Sequence, residues 1–446
     1  VVGVSGTRLY DATTNAVASD LSTHANLVGS QTLNLSGTGT IASKDVGPNK
    51  TVSVGTLALA DGSNGGLAAN YTLSSGTHQL TVNQRPLNAT LARQYDGTTN
   101  AAGSTLSSLD ALQGGETLTM TGSGTAASAN VANGITMSSN GNLALADGTG
   151  TASNYSLNST VINIAKRVLT SSGSKTYDAN TNALAADITL GNLVSGEALN
   201  HSGTATISSA NAGSYTISNL TGINIADGSG GTASNYTLTG GTHNFTVNQA
   251  PISFTGSRQY DGSTNANNSD LTLSGLIASQ TLTLSGTGII SSANVGSGKS
   301  VTLNTLSLAD NSGLAANYTF TGGTHTLNVT KRILNSSGSK TYDANTNALA
   351  SAITLSNLAS TETLVDSGTA TISSANVGSY TISNLTGVSI ADGTNGGLAS
   401  NYTLTGGTHN FTVNRRVIGV SGTRLYDATT NAVASDLSTH ANLVGS

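Results

Sequence analysis

Most carboxylates in this sequence lie in two recurring motifs, and carboxylates are groups that can bind metals or transfer protons. The first motif is a basic residue followed two places later by Tyr-Asp. Its copies are Arg8, Tyr10 and Asp11; Arg93, Tyr95 and Asp96; Lys175, Tyr177 and Asp178; Arg258, Tyr260 and Asp261; Lys340, Tyr342 and Asp343; and Arg424, Tyr426 and Asp427. The second motif is an Ala-Asp turn, ending at Asp61, Asp147, Asp227, Asp310 and Asp392. Together these acids are more than half of the 21 Asp and Glu residues.

The loops after three Ala-Asp turns are candidate calcium sites, at Asp61, Asp227 and Asp392. Calcium takes roughly six to eight oxygen ligands, and these loops offer side-chain and backbone oxygens on flexible backbone. Each loop has a single carboxylate, however, and the spacing is not that of a known calcium loop. We therefore favour a structural role, in which the acid caps a turn and pairs with a nearby Arg or Lys. We expect no cofactor.

Histidine recurs in the motif Gly-Thr-His, at His78, His243, His325 and His409. A metal site needs converging ligands, but the sequence has no Cys and no second His at ligand spacing. We expect a half-exposed strand histidine instead. No Gly-x-Ser-x-Gly elbow recurs with a partnering His and acid, and no glycine-rich phosphate loop leads into a helix, so we expect no enzymatic activity.

Tyrosine lies mainly in the Tyr-Asp motif and in a recurring Asn-Tyr pair. The Asn-Tyr copies are Tyr71, Tyr155, Tyr236, Tyr318 and Tyr402. With no Trp and four Phe, tyrosine must supply most of the large core area, with its hydroxyl at the rim. Tyr-Asp is followed by Gly at Gly97 and Gly262 and by Ala at the other four sites. Because Ala resists a positive φ, we expect those four turns to avoid a left-handed residue.

The Tyr-Asp motif recurs at intervals of 85, 82, 83, 82 and 84 residues, which predicts tandem modules. Residues 418–446 also repeat residues 2–30 with one change, Val2 to Ile418. We therefore predict five repeats and the start of a sixth, as an excerpt from a longer array. Their predicted bounds are 1–84, 85–166, 167–249, 250–331, 332–415 and 416–446.

Each repeat shows short alternating runs rich in Thr, Val, Ile and Leu, about 8 to 12 residues apart, with no helical period. This pattern predicts an all-β fold, a tandem array of Ig-like β-sandwiches that each close their own core. Ser-Gly-Thr recurs at Ser36, Ser123, Ser202, Ser285 and Ser367, which suggests a bulge or a close backbone approach. A β-solenoid is the alternative, but the motifs do not recur every twenty residues or so. Because no Gly/Ser linker separates the repeats, we expect stiff connections and an elongated rod.

Composition argues against two classes of partner. Only 8% of the residues are charged and the net charge is -5, which gives no electrostatic footprint for nucleic acid or an anionic membrane. No window of eighteen apolar residues occurs, so we expect no membrane span in this segment.

Three sequence features together resemble a known family. They are the pattern basic-x-Tyr-Asp-Gly/Ala-x-Thr-Asn-Ala, an Asn-Tyr-Thr-Leu run about sixty residues later, and a Thr-Val-Asn joint followed by Gln or Arg. They resemble the YDG-type repeat modules of large bacterial surface proteins, including filamentous-haemagglutinin-like adhesins exported by two-partner secretion. The resemblance implies an extracellular or cell-surface location in bacteria and a stalk or adhesive role, without a catalytic site.

Two functions follow as hypotheses. The first is the structural shaft of an extracellular fibre or giant adhesin, whose partner is the chain itself, end to end or laterally. The second is an adhesive module whose exposed Thr, Ser and Asn rows bind carbohydrate, such as host or matrix glycans, or another surface. Repeats 3 and 5 are nearly the same throughout and have no divergent loop suited to one ligand, which favours the shaft.

Overall fold

The computed structural model describes residues 1–102 and 104–444. Regular structure within these ranges is β-strand, and the helical turns are three-residue 3₁₀ turns, which confirms the predicted all-β class of tandem modules. The 3₁₀ turns are Ala18–Asp20, Ala68–Asn70, Ala152–Asn154, Ala185–Asp187, Ala233–Asn235, Asn268–Asp270, Ile277–Ser279, Ala315–Asn317, Ala350–Ala352, Ala399–Asn401 and Ala434–Asp436.

The first two repeats contain fifteen strands. In repeat 1 they are β1 (Gly3–Leu9), β2 (Asn15–Val17), β3 (Leu21–Ala25), β4 (Leu33–Ser36), β5 (Thr38–Ile41), β6 (Gly47–Ser53), β7 (Ala58–Asp61) and β8 (His78–Asn83). In repeat 2 they are β9 (Arg85–Gln94), β10 (Thr105–Leu109), β11 (Leu118–Thr121), β12 (Thr125–Ala126), β13 (Ala132–Ser139), β14 (Ala144–Asp147) and β15 (Tyr155–Ala165).

The next two repeats follow the same plan. Repeat 3 has β16 (Arg167–Val168), β17 (Thr170–Thr176), β18 (Asn182–Leu184), β19 (Ile188–Gly191), β20 (Leu199–Ile207), β21 (Gly213–Asn219), β22 (Ile223–Asp227), β23 (Tyr236–Thr237) and β24 (His243–Asn248). Repeat 4 has β25 (Ala250–Pro251), β26 (Ser253–Gln259), β27 (Asn265–Asn267), β28 (Leu271–Ser274), β29 (Leu282–Ser285), β30 (Thr287–Ile290), β31 (Gly296–Thr302), β32 (Ser307–Asp310), β33 (Tyr318–Thr319) and β34 (His325–Thr330).

Repeat 5 and the start of the sixth complete the described strands. Repeat 5 has β35 (Arg332–Ile333), β36 (Asn335–Thr341), β37 (Asn347–Leu349), β38 (Ile353–Ser356), β39 (Leu364–Ile372), β40 (Gly378–Asn384), β41 (Val388–Asp392), β42 (Tyr402–Thr403) and β43 (His409–Asn414). The sixth begins with β44 (Gly419–Gly422) and β45 (Leu437–Ala441), which pair antiparallel.

The described chain divides into two compact units. Unit 1 comprises Val1–Ser174, Asn182–Ser208 and Tyr215–Phe245, and so contains repeats 1 and 2 and most of repeat 3. Unit 2 comprises Lys175–Thr181, Ser209–Ser214 and the described chain from Thr246 onward, and so contains repeats 4 and 5.

Each repeat is built on one large sheet whose first and last long strands lie side by side. The strand order is β2-β5-β6-β8-β1-β3 in repeat 1, β10-β9-β15-β13-β12 in repeat 2, β27-β30-β31-β34-β26-β28 in repeat 4 and β37-β39-β40-β43-β36-β38 in repeat 5. The first and last long strands run parallel, and their other neighbours are antiparallel. A second layer is a two-stranded ribbon, formed by β4 and β7, by β11 and β14, and by β29 and β32.

The Ser-Gly-Thr glycine is the corner that joins sheet and ribbon. In repeat 5 the strand β39 pairs with β37 and β40 at one end and with β41 at the other. Gly368 lies between the two pairings at φ 95°, and a Cβ there would come 2.0 Å from the carbonyl oxygen of Gly387. Gly37, Gly203 and Gly286 have φ values of 82°, 100° and 88° at the matching corners. In repeat 2 the corner residue is Gly122, at φ 86°, two residues before the glycine of the predicted Ser-Gly-Thr motif. The predicted close backbone approach is thus confirmed.

The hydrophobic cores do not stop at the repeat boundaries. One cluster joins Val4, Tyr10, Leu80 and Val82 of repeat 1 with Leu87, Leu118 and Tyr155 of repeat 2. A second joins Leu91 and Tyr95 of repeat 2 with Leu169, Leu199 and Tyr236 of repeat 3. A third joins Phe254 and Tyr260 of repeat 4 with Leu334, Ala359 and Tyr402 of repeat 5. The expectation that each repeat closes its own core is therefore wrong at these joints, because the following repeat supplies part of it.

We predict that Gly368→Ala destabilises repeat 5 much more than Gly396→Ala. Both glycines have a φ near 90°, but a Cβ at Gly396 meets no atom within 4 Å. Gly396→Ala should therefore cost only the left-handed penalty, about 1 kcal/mol, whereas Gly368→Ala adds a clash with backbone. Hydrogen exchange of repeat 5 peptides in the full chain measures the difference. Equal loss of protection in the two variants would contradict the corner assignment.

Candidate functional site

The Tyr-Asp motif forms a tight turn held by a buried cation. The Asp11 side chain accepts a hydrogen bond from the Thr13 amide at 2.9 Å, and Arg8 pairs with Asp11. In repeat 3, Lys175 binds Asp178 at 2.8 Å and the Asn180 carbonyl at 2.8 Å. Arg8, Arg93, Lys175, Arg258 and Lys340 are shielded from solvent while their Asp partners are partly exposed. The pairing of the Tyr-Asp acids with a nearby Arg or Lys is thus present.

The electrostatics of the turn follow from these contacts. Burial alone would raise the pKa of the Asp178 carboxyl, but the Lys175 ammonium and the Asn180 amide bind its charged form and hold the pKa below its ordinary value. The same balance of burial against Lys340 lowers the pKa of Asp343. The Asp178 and Asp343 carboxyls are therefore ionised at neutral pH.

The alanines after Tyr-Asp contradict the sequence prediction about this turn. Ala12, Ala179, Ala344 and Ala428 have φ values of 62°, 65°, 59° and 61°, so they adopt the left-handed conformation, like Gly97 and Gly262. The cost of this conformation for an L residue is about 1 to 2 kcal/mol. The Asp side-chain bond two residues onward and the buried cation fix the turn and outweigh that cost, so Ala is tolerated where Gly would be unstrained.

The Ala-Asp turns position the Asn-Tyr pair. The side chains of Asp61, Asp227 and Asp392, the candidate calcium ligands, each accept the amide of the first residue of the next 3₁₀ turn, at 2.7 Å. Asp147 and Asp310 make the same bond. Each 3₁₀ turn ends at the Asn of Asn-Tyr. Among the described residues no three His, Asp or Glu side chains form a group that could hold a metal ion.

In repeats 2 to 5 the Asn of the Asn-Tyr pair inserts into the preceding repeat. Asn154 accepts a hydrogen bond from the Val46 amide at 2.8 Å and donates one to Asp45 at 2.9 Å. Three further Asn side chains make the same two bonds, accepting from one amide and donating to the Asn side chain before it. The pairs are Asn235 with Val131 and Asn130, Asn317 with Ala212 and Asn211, and Asn401 with Val295 and Asn294. All four side chains are at most 2% exposed. A buried amide keeps its place only where its bonds are made, so each Asn fixes the register of two repeats.

The two tyrosine motifs meet across the same boundary. Tyr10 of repeat 1 and Tyr155 of repeat 2 pack edge to face, with ring centres 5.2 Å apart. Both hydroxyls donate to one carboxylate, Glu116, at 2.6 and 2.8 Å. The Gln113 amide donates to the Tyr155 oxygen at 3.1 Å. We call this set the tyrosine joint. It consists of the Tyr of Tyr-Asp, the Asn-Tyr pair of the following repeat, and the acid or amide side chain that bridges the two tyrosine hydroxyls.

The tyrosine joint recurs at the other three boundaries between complete repeats. Tyr95 and Tyr236 donate to Glu197, and Tyr260 and Tyr402 donate to Glu362, all at 2.6 Å. At the remaining boundary Gln280 donates to the Tyr177 oxygen at 2.8 Å and accepts from Tyr318 at 2.6 Å. These ring pairs also pack edge to face, at 5.4 to 5.5 Å. Each of these joints lies within one compact unit. Tyr71 makes the matching bond to Gln31 in repeat 1.

Sequence reasoning missed the bridging residues. The sequence contains three glutamates, Glu116, Glu197 and Glu362, and all three bridge tyrosines at a joint. Each of these glutamates stands directly before Thr-Leu or Ala-Leu at the same position of its repeat. This restricted placement is the sequence signal that could have identified them. The tyrosine hydroxyls were expected at the rim of a core, but they are buried between two repeats, where a hydroxyl must be hydrogen-bonded.

Burial and the neighbouring carboxylate change the titration of these tyrosines. Burial, followed by the hydrogen bond to Glu197, raises the pKa of Tyr95 to about 12. Burial and Glu362 raise the pKa of Tyr402 to about 12 as well. At the first joint, Lys44 binds Glu116 at 2.7 Å. Burial would raise the pKa of Glu116, but Lys44 and the tyrosine hydroxyls lower it overall.

The basic residues at the boundaries tie the same parts together. Arg85 donates to the carbonyl of Tyr10 at 2.7 Å, and Arg167 and Arg332 reach the carbonyls of Tyr95 and Tyr260 at 3.4 and 3.3 Å. No residue stretch is left free as a linker here, since β8 and β9 are separated by Gln84 alone. Gln84 itself donates to the Ser153 carbonyl at 3.1 Å.

The recurring histidines are more buried than expected. His78, His243 and His409 are buried, and each of the four Gly-Thr-His rings bonds through Nε2 to a backbone carbonyl five residues earlier, at 2.7 to 2.9 Å. A carbonyl oxygen accepts, so Nε2 is the donor in each of these bonds. Ser171 and Ser336 donate to Nδ1 of His243 and His409 at 2.9 and 2.8 Å. The prediction of half exposure is wrong for His78, His243 and His409, because these rings close the turn before the last strand, whereas His325 is partly exposed, as predicted.

Comparison with known proteins gives one result that spans the chain. Five segments match the YDG domain, at residues 1–79, 78–162, 165–244, 242–326 and 324–409. The chain belongs to the YDG domain family. No curated protein is similar enough in sequence to count as a relative. In these YDG repeats, the Tyr-Asp turn supplies one of the two tyrosines of each tyrosine joint. No helix in the described part of the chain has the length and apolar character needed to cross a membrane.

We predict that Glu197→Ala weakens the joint between repeats 2 and 3 far more than Glu197→Gln. Alanine leaves the buried hydroxyls of Tyr95 and Tyr236 without an acceptor, at a cost of about 1 to 3 kcal/mol for each unsatisfied group. Glutamine can donate to one tyrosine and accept from the other, as Gln280 does. Thermal unfolding and limited proteolysis of the full chain measure both variants. Equal losses would show that the bridge has no role in the joint.

A second prediction concerns alkaline pH. The pKa of Tyr95 is raised from an ordinary 10.0 to about 12 in the folded chain. When the pKa of a group is higher in the folded than in the unfolded chain, its contribution to stability is complete below the unfolded pKa. That contribution is lost as the pH rises through the folded pKa. The melting temperature should therefore fall between pH 10 and 12, with phenolate absorbance appearing late in this interval. Tyr95→Phe removes one such group and should show a shallower fall. A flat melting temperature across this range would contradict the assignment.

Proposed function

We propose that this chain is a segment of the shaft of an extracellular bacterial fibre or giant cell-surface adhesin. The observation that carries the proposal is the tyrosine joint, which repeats at four successive boundaries with the same buried residues. A shaft needs connections that hold one orientation against thermal motion. A flexible linker would give the opposite behaviour.

The joints are stiff for an identifiable reason. Rotation of one repeat against the next would separate Glu197 from Tyr95 and withdraw Asn235 from Asn130, leaving buried polar groups without partners. It would also expose the apolar cluster that the two repeats share. Both effects oppose bending at once, since unsatisfied polar groups and exposed apolar surface each cost free energy.

The extracellular setting is part of the proposal. The resemblance to repeat modules of filamentous-haemagglutinin-like proteins supports export by two-partner secretion and display at the bacterial surface. The uncharged Ser, Thr and Asn surface suits a spacer that avoids charged partners, since 8% of the residues are charged. The chain's own ends and sides are its proposed partners in a fibre.

The proposal is tested by the solution shape of the full chain. We expect small-angle scattering and negative-stain electron microscopy to show a thin rod of uniform length. The triple variant Glu116→Ala, Glu197→Ala and Glu362→Ala should show bent particles and a wider spread of lengths, because three joints lose their bridge. The matched variant with Gln at the same positions should remain straight. A compact wild-type particle, or one as flexible as the Ala variant, would overturn the proposal.

A further inference from the structure

The position of the first and last long strands has a mechanical consequence. In repeat 5, β36 and β43 lie side by side in the middle of the sheet and run parallel. Six residue pairs are in register, from Ser336 opposite His409 to Thr341 opposite Asn414. The chain enters repeat 5 through the short strand β35, just before β36, and leaves it at the end of β43. The two points are therefore at opposite ends of the β36–β43 pair.

This arrangement determines how tension acts on the strands. When two parallel strands are pulled from opposite ends, the force runs along them, and every backbone hydrogen bond between them is loaded together. When two strands are pulled apart from one end, the bonds break one after another. Forced unfolding is governed by the unfolding rate, and hence by the barrier of the step that must occur first. Simultaneous rupture presents the higher barrier.

The hydrogen-bonded contact extends beyond the six pairs. Before β36, the strand β35 pairs in parallel with β42, with Arg332 opposite Tyr402. The Leu334 amide then donates to the Thr403 carbonyl at 2.8 Å. At the far end the Tyr342 amide donates to the Asn414 carbonyl at 2.9 Å. The segment that contains β35 and β36 is therefore bonded to the segment that contains β42 and β43 along almost its whole length.

One face of this seam is shielded from water, while residues on the other face, such as Ser337 and Asn410, are exposed. Leu334, Phe411 and Val413 are at most 1% exposed and lie along it, and Ser336 bonds His409 across it. Water reaches a backbone hydrogen bond less easily when one face of the sheet is covered, so the rupture of such a bond costs more than that of a fully exposed one. The buried side chains thus protect the bonds that tension would load.

Other repeats carry the same arrangement. The parallel pair is β1 with β8 in repeat 1, over six residue pairs, β9 with β15 in repeat 2, over ten, and β26 with β34 in repeat 4, over six. One residue, Lys331, separates the last strand of repeat 4 from the first strand of repeat 5. Tension applied to the chain would therefore pass directly from one parallel pair to the next.

We propose that these repeats have a further function as tension clamps, in which the parallel pair of first and last strands resists pulling along the chain by shear. The proposal rests on the proposed function as a shaft, because a shaft between a cell and an attachment point is pulled at its ends. The clamp proposal adds the direction in which the repeats resist pulling and the hydrogen bonds that provide this resistance. Stiffness at the joints does not imply either.

Single-molecule force spectroscopy of the full chain tests this with handles on engineered cysteines, since the native sequence has no Cys. The variant Lys331→Cys with Arg415→Cys pulls β36 and β43 from opposite ends. The variant Thr341→Cys with Arg415→Cys pulls the same strands apart from one end, because Thr341 lies opposite Asn414. All three substituted side chains are exposed. We expect a several-fold higher rupture force for the first pair of handles at the same loading rate.

The controls separate direction from stability. Thermal unfolding of the two double variants without load should be the same, so that a force difference reports pulling direction alone. Equal rupture forces for the two handle pairs, or a lower force for Lys331 with Arg415, would overturn the clamp. Solution scattering that shows a flexible chain would contradict the shaft and leave the force difference unaffected, so the two failures are distinguishable.

Discussion

The need to satisfy buried tyrosine hydroxyls constrains the rest of this structure. At each joint two phenols and one bridging side chain are enclosed between repeats, and a hydroxyl without a partner in such a place costs more free energy than the bond itself returns. The arrangement that satisfies Tyr95, Tyr236 and Glu197 together holds repeats 2 and 3 in one register. The geometry of a boundary is thus determined by polar groups, while the apolar cluster around them supplies most of the burial.

The recurring motifs act by delivering these groups to the boundary. The buried cation and the Asp of the Tyr-Asp turn fix the backbone directly after the first strand, so that the tyrosine points at the next repeat. The Ala-Asp carboxylate starts a 3₁₀ turn that ends in Asn-Tyr, which presents the second tyrosine from the other side. Acids that resemble a metal site in sequence are therefore structural, and their single carboxylate per loop suits a bond to one amide.

Shared cores change how the repeats are understood as units. Leu87, Leu118 and Tyr155 of repeat 2 belong to the cluster that begins with Val4 and Tyr10 of repeat 1. A small all-β repeat without disulfides gains stability in this way from its neighbour. The same dependence opposes rotation at the boundary, so stability and the proposed stiffness have one physical origin. This is the behaviour expected of an array in which each repeat contacts its neighbours.

The sequence alone determined the period, the all-β class, the close backbone approach at the Ser-Gly-Thr glycine and the pairing of Asp with Arg or Lys in the Tyr-Asp turn. These are local properties, since spacing, alternation and turn chemistry depend on residues close in the chain. The tertiary structure decided that Tyr10 meets Tyr155, that Glu116 bridges them and that the four alanines after Tyr-Asp take a left-handed conformation. Those outcomes depend on contacts between residues more than a hundred positions apart, or on a tertiary network that outweighs a local preference. A local sequence pattern does not show the free energy that a buried group gains when it bonds a partner in the next repeat.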